Sequence, residues 1–142
     1  MIRNIVPQIL FFTFIFSFLI SHPVNASWEP AKDGDKIILI RHSKAPGFGD
    51  PQGFKIKDCK TQRNLSKDGE LQALKIGKFF KKNDIKLTKV LSSEWCRCKD
   101  TARIAFGNYE TKNFLNSFYD ERFSENKDKQ ISDFQKFIRN WN

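Results

Sequence analysis

The chain has 142 residues and three cysteines, and its formal net charge is +9 at pH 7. This length, less an N-terminal leader, is enough for one small domain. The net positive charge favours anionic partners such as phosphate esters. No arginine-rich tract and no basic run interleaved with aromatic residues is present, which argues against a nucleic-acid partner.

Residues 1–26 have the composition of a secretory signal peptide. Arg3 gives a positive start, residues 9–20 are mostly apolar, and Val-Asn-Ala at residues 24–26 resembles a cleavage site. An uncleaved membrane anchor is the alternative, but the apolar stretch is interrupted by polar residues and is shorter than the roughly 18 residues of a spanning helix. We expect a mature domain at residues 27–142 that is periplasmic or secreted, with no membrane partner after cleavage.

The first predicted element of this domain is a buried strand at residues 36–40, an aliphatic run that ends in Arg41 and His42. A cation and an imidazole are costly to bury without a partner, so they lie either in solvent or beside an anion. Residues 43–64 are rich in Gly, Pro and Asp and predict a long loop. Loops of that length in compact domains are usually functional or disordered.

Two helices and a strand are predicted after this loop. Ser66 is a suitable N-cap, and the apolar stripe that follows predicts a helix of about four turns: Ala73, Leu74, Ile76, Gly77 and Phe80. A short strand is expected at residues 89–91. The second helix is expected to start after Ser93, with Glu94 in its first turn, and to stop at Gly107.

The C-terminal third predicts a strand near Phe114 and a last amphipathic helix, whose apolar positions are Ile131, Phe134, Ile138 and Trp141. The alternation of strands and helices predicts an α/β fold, with a parallel sheet flanked by helices in three layers. Ligands bind beyond the carboxyl ends of the strands in such sheets, where Arg41 and His42 are expected.

Arg97, like Arg41 and His42, follows the carboxyl end of a predicted strand. The strand at residues 89–91 is followed by two serines and then by the second helix, which carries Arg97. The N-terminus of a helix attracts an anion, and an arginine in its second turn can reach that anion with two donors. Taken alone, Arg97 is typical of a solvent-facing helix residue. Taken with Arg41 and His42 at the neighbouring strand end, it favours an anion site.

The three cysteines are expected to include one disulfide, because a disulfide persists in an oxidising compartment. Cys96 and Cys98 are two apart on a predicted helix and point in different directions, so Cys59 is expected to pair with one of them. A zinc site is the alternative. The cysteines and the one histidine of the mature chain lack the paired spacing of zinc motifs, so no metal is expected.

Three segments carry a resemblance to a known family. Residues 38–45, "ILIRHSKA", contain an Arg-His pair after an aliphatic run; residues 63–73, "RNLSKDGELQA", begin a helix; and residues 91–102, "LSSEWCRCKDTA", contain Ser-Ser and Arg97. In this order they resemble the Arg-His-Gly, Leu-Thr/Ser-x-x-Gly-x-x-Gln-Ala and Ser-Ser-x-x-x-Arg-x-x-x-Thr-Ala motifs of the histidine phosphatase superfamily, the phosphoglycerate-mutase-like proteins.

The resemblance implies a mechanism. His42 is the nucleophile that takes a phosphoryl group and yields it to water, and its other ring nitrogen needs an acceptor that holds the tautomer. Arg41 and Arg97 neutralise the phosphoryl oxygens. Arg63 resembles a further pocket arginine or only pins the loop. Ser43 replaces the glycine of the motif beside the phosphate, where its hydroxyl can donate.

The chain departs from the family pattern at its C-terminal side. Family members carry a second histidine on a later strand, whereas no histidine follows His42 here, and the last strand and helix of the family fold are missing. The sequence is expected to be either a truncated form of a longer protein or a shortened, impaired member. The general acid is open among Asp120, Glu121 and Glu125.

These features predict an exported phosphomonoesterase that needs no cofactor and acts on a small phosphorylated substrate. The alternative is an anion-binding remnant of the same fold that has lost turnover with the second histidine. The sequence gives no indication of the oligomeric state.

Overall fold

The computed structural model describes residues 27–141. Its helices and strands are α1 (Glu29–Lys32), α2 (Lys67–Lys82), β1 (Leu91–Ser92), α3 (Cys96–Phe106), β2 (Glu110–Thr111) and α4 (Lys127–Arg139), with short 3₁₀ turns at Cys59–Thr61, Asn113–Leu115 and Glu121–Asn126. The predicted signal peptide at residues 1–26 lies outside the described residues. No helix within residues 27–141 is long and apolar enough to cross a membrane.

Helix α2 confirms the predicted four-turn helix after Ser66. The Ser66 side chain accepts a hydrogen bond from the backbone N–H of Gly69 at 3.2 Å, as an N-cap does. The start of α2 also lies against the chain just after His42. A Cβ atom at Gly69 would be 2.1 Å from the backbone oxygen of Lys44, so only glycine permits this approach.

Helices α2 and α3 pack closely against each other and make the main helix–helix contact of the described chain. A Cβ atom at Gly77 would be 2.1 Å from the backbone oxygen of Ala105, so the two backbones are in direct contact there. Phe80 is 7% exposed and lies edge to face with Phe106, their ring centroids 5.1 Å apart. This contact sets the position of α3 and therefore of Arg97.

The sheet of the described residues has two parallel strands, with Leu91 opposite Glu110 and Ser92 opposite Thr111. A mixture of helices with a small parallel sheet is compatible with the predicted α/β fold; the three-layer arrangement stays a prediction. The expected strand near Phe114 is wrong: Phe114 lies in a 3₁₀ turn, and the strand is at Glu110–Thr111. The strand expected at residues 89–91 is found at Leu91–Ser92.

The buried strand predicted at residues 36–40 is also wrong. No backbone hydrogen bond joins residues 37–42 to another described residue, and Ile37, Leu39 and Ile40 are 47%, 70% and 48% exposed. A groove of about 500 Å³ separates this segment from residues 86–93. An aliphatic run forms a strand only where a neighbouring strand edge accepts and donates its ladder bonds, and the groove keeps β1 out of reach.

Helix α4 confirms the predicted last helix and the packing of Phe134, and it adds Phe137, which was not predicted. Phe134 and Phe137 lie 6.0 Å and 5.2 Å from Phe114, measured between ring centroids. Ile131 and Ile138, both expected on the packed side, are 38% and 37% exposed. Aromatic contacts with the 3₁₀ turn at Asn113–Leu115 therefore determine the packed face of α4.

Candidate functional site

His42 is held by its own neighbour in the chain. Its Nδ1 atom lies 2.7 Å from the backbone oxygen of Ser43. A carbonyl oxygen can only accept a hydrogen bond, so Nδ1 carries the proton and donates it. In the neutral imidazole the lone pair is then on Nε2. The ring therefore offers an unprotonated nitrogen for attack on an electrophile.

The surroundings of His42 favour this neutral form. Burial is the largest cause that lowers the pKa of His42 below its ordinary value of 6.5, and the charges of Arg97, Arg63 and Arg41 lower it further. The hydrogen bond to Ser43 acts in the opposite direction without cancelling them. Three guanidinium groups from separate segments thus act on one imidazole.

Arg97 lies in the first turn of α3 rather than in the second turn that the sequence predicted, because α3 begins at Cys96 with Trp95 as its N-cap. Glu94, expected inside the helix, lies before it, where its backbone N–H donates to the side-chain oxygen of Asn116. The Arg97 side chain is only 9% exposed. A guanidinium so deeply buried needs a partner of opposite charge.

Asp50 is that partner, and reasoning from the sequence did not find it. Arg97 donates through Nη1 to both carboxylate oxygens of Asp50, at 2.9 Å and 3.0 Å. The Asp50 side chain is 6% exposed and accepts further bonds from the indole N–H of Trp95 and the backbone N–H of Arg63. Burial alone would raise the pKa of Asp50, but these hydrogen bonds and the Arg97 charge hold it below its ordinary value.

Arg63 and Arg41 differ in how they are used. Arg63 pins the loop, because its Nε donates to the backbone oxygen of Gly49 at 2.7 Å and its Nη1 donates to that of Ala45. Arg41 is exposed and makes no hydrogen bond to another residue of the described chain. The positive charges of both arginines lower the pKa of His42. Phosphate binding by either arginine stays a prediction.

Ser43 is 1% exposed and joins His42 to α3. Its backbone N–H donates to the hydroxyl of Thr101 at 3.0 Å, and that hydroxyl donates to the backbone oxygen of Arg97 at 2.7 Å. The Ser43 hydroxyl and the Nε atom of Arg97 are buried without a hydrogen-bond partner among the described residues. Buried donors are normally paired, so these two unpaired donors indicate a place for an acceptor near residues 43 and 97.

A disulfide joins Cys59 to Cys96. It ties the loop that carries Asp50 to the first residue of α3, immediately before Arg97. Cys98 is a free cysteine, and burial is the largest cause that raises the pKa of its thiol. The structure therefore chooses Cys96 from the two pairings that the sequence left open.

None of the three candidate acids forms a hydrogen bond or ion pair with His42, Arg97 or Asp50 within the described residues. Asp120 is paired with Arg122, whose hydrogen bonds lower the pKa of the carboxyl to about 2. Glu121 and Glu125 are exposed on the 3₁₀ turn at Glu121–Asn126. Neither glutamate is buried, so the described residues do not mark either one as the general acid.

Comparison with known proteins gives one family. The model of the histidine phosphatase superfamily (branch 1) matches residues 37–130, about two thirds of the chain. No curated protein and no solved structure matches. No group of three potential metal ligands converges anywhere in the described part of the chain.

Proposed function

The chain belongs to the histidine phosphatase superfamily, and we propose that it is an exported phosphomonoesterase in which His42 takes the phosphoryl group and passes it to water. Membership in the superfamily implies a phosphatase- or mutase-like activity on small phosphorylated compounds. The monoesterase reaction, the roles of individual residues and export are parts of the proposal. The observation that carries it is the hydrogen bond from Nδ1 of His42 to Ser43, which leaves Nε2 free.

The first step forms a bond from Nε2 of His42 to phosphorus and breaks the bond from phosphorus to the ester oxygen. The leaving alkoxide takes a proton from water, and the imidazole becomes a phosphohistidine. Burial and the three arginine charges keep the ring neutral before attack, and neutrality makes Nε2 nucleophilic. In the second step water attacks phosphorus, the nitrogen–phosphorus bond breaks, and inorganic phosphate leaves.

The arginines supply the charge that this reaction needs. The transferring phosphoryl group carries negative charge on its non-bridging oxygens, and fixed cations stabilise that charge in the transition state. Arg97 is the main candidate, because its side chain is buried and fixed on α3, whereas Arg41 is exposed. The dipole at the N-terminus of α3, an 11-residue helix, adds to the same field.

Turnover of p-nitrophenyl phosphate by the purified protein tests this proposal. We expect hydrolysis that is lost in His42→Ala and falls at least about a hundredfold in Arg97→Ala. Arg103→Ala is the matched control for Arg97, because Arg103 lies on the same helix, is exposed and, among the described residues, pairs with Asp100 alone. We expect its activity to equal that of the unmodified chain.

Two results would contradict the proposal. Turnover that persists in His42→Ala would exclude the phosphohistidine route. Binding of phosphate without any turnover in the unmodified chain would favour an anion-binding protein on the same fold.

A further inference from the structure

Asp50 is the most completely bonded carboxylate of the described chain. Its two oxygens accept four hydrogen bonds from three residues: two from Nη1 of Arg97, one from the indole of Trp95 and one from the backbone of Arg63. All three donors are themselves fixed, by α3, by its N-cap and by the loop. A carboxylate with this many partners has no free capacity to accept a substrate proton.

The contact with Asp50 uses only one nitrogen of the Arg97 guanidinium. Nη1 faces Asp50, and Nη2 and Nε have no hydrogen-bond partner among residues 27–141. Nε and Nη2 lie on one edge of the planar guanidinium and point in the same direction. They form a two-donor fork that matches two oxygens of a phosphoryl group.

We infer that Asp50 is a positioning residue, whose carboxylate holds Nη1 of Arg97 so that the Nε–Nη2 edge stays turned to the phosphoryl group. This inference rests on the proposed function, because it assigns the free edge of Arg97 to that reaction's phosphoryl oxygens. The disulfide from Cys59 to Cys96 supports it, since it anchors the loop of Asp50 to the helix of Arg97. Asp50 does not touch the substrate and acts through Arg97.

Asp50 could instead compete with phosphate as an anion. The two roles predict changes of opposite sign in phosphate affinity when the carboxylate is removed. By charge alone, removing a carboxylate beside an anion site strengthens the binding of an anion. If Asp50 positions Arg97, its removal frees the guanidinium to turn, and binding weakens although the site has become more positive. The sign of the change in phosphate affinity therefore separates positioning from competition.

The experiment measures inorganic phosphate binding by calorimetry, and kcat and KM for p-nitrophenyl phosphate, in Asp50→Asn. We expect phosphate to bind about tenfold more weakly or worse, with a parallel loss in kcat/KM. Asp58→Asn is the matched control, because Asp58 is an exposed aspartate of the same loop and asparagine also caps a turn. Its phosphate affinity should stay within about twofold, since a distant exposed charge is screened by salt.

Equal or tighter phosphate binding by Asp50→Asn would overturn the inference. Trp95→Phe gives a second test if Asp50→Asn does not fold, because it removes only the indole N–H bond to Asp50. We expect about threefold weaker phosphate binding for this variant, and unchanged binding would also count against the inference.

The phosphate-binding measurement tests this inference independently of the proposed function. If the unmodified chain binds phosphate without turnover, the proposed function fails, while the affinities of the Asp50 variants still decide the role of Asp50. If the unmodified chain does not bind phosphate, both are wrong.

Discussion

The disulfide between Cys59 and Cys96 is expected to be a main source of stability for this domain. The bond closes a loop with a sequence separation of 37, which contains α2, β1 and the start of α3. Cys59 is exposed, so the substitution Cys59→Ser removes the cross-link without burying a hydroxyl. Cys96 is 1% exposed and keeps its packed position as a thiol.

The magnitude follows from the entropy that the cross-link removes from the unfolded chain. For a loop of 37 residues this entropy corresponds to about 3.8 kcal/mol at 25 °C. An unfolding entropy of about 2.1 cal/mol/K per residue gives roughly 0.24 kcal/mol/K for residues 27–142. Cys59→Ser should therefore lower Tm by about 16 °C.

The assay is thermal unfolding followed by circular dichroism at one protein concentration, with and without reductant. Reduction of the unmodified chain should reproduce most of the shift seen in Cys59→Ser. Cys98→Ser is the matched control, because Cys98 is free, and its Tm should stay reductant-sensitive. A shift below about 4 °C on reduction would refute the reasoning, since it would mean that the cross-link constrains little.

Three further outcomes are expected. In the mature chain, residues 27–142, His42 is the one histidine, and its imidazole signal in an NMR titration should have its midpoint below pH 6.5, because burial lowers the pKa of His42; a midpoint above 6.5 would contradict this. Gly77→Ala should destabilise the fold by about 1–3 kcal/mol in urea unfolding, because the Cβ of the new alanine would meet the backbone of Ala105. Equal or higher stability would exclude the close contact between α2 and α3. Phe80→Ala should cost about 3–5 kcal/mol in the same assay, and a cost below 1 kcal/mol would show that Phe80 is not a core residue.

Local signals in the sequence were enough to predict the helices and to place Arg97 at the start of one of them. The cap at Ser66 and the apolar spacing after it predicted α2, because both are properties of one continuous segment. Arg97 was assigned to a helix N-terminus for the same reason, and the error of one turn came from the position of the cap at Trp95. Helix ends depend on a few side-chain contacts that spacing does not reveal.

Non-local features were missed. The aliphatic run at residues 36–40 looks like a buried strand, but whether it pairs depends on which segment lies beside it. Asp50 stands before a proline in a Gly-rich loop, where aspartate is typical of a turn. Its partner Arg97 is 47 residues further along the chain, and nothing in the spacing connects the two.

The most direct test of the account is to trap the phosphorylated form of the protein. Purified protein is mixed with p-nitrophenyl phosphate, quenched in alkali within milliseconds to seconds, digested, and mapped by mass spectrometry. We expect one phosphorylated peptide, which contains residue 42, with the phosphoryl group stable in alkali and lost in acid. A chain that hydrolyses the ester with no phosphate on that peptide, or with an acid-stable phosphate elsewhere, would contradict the account.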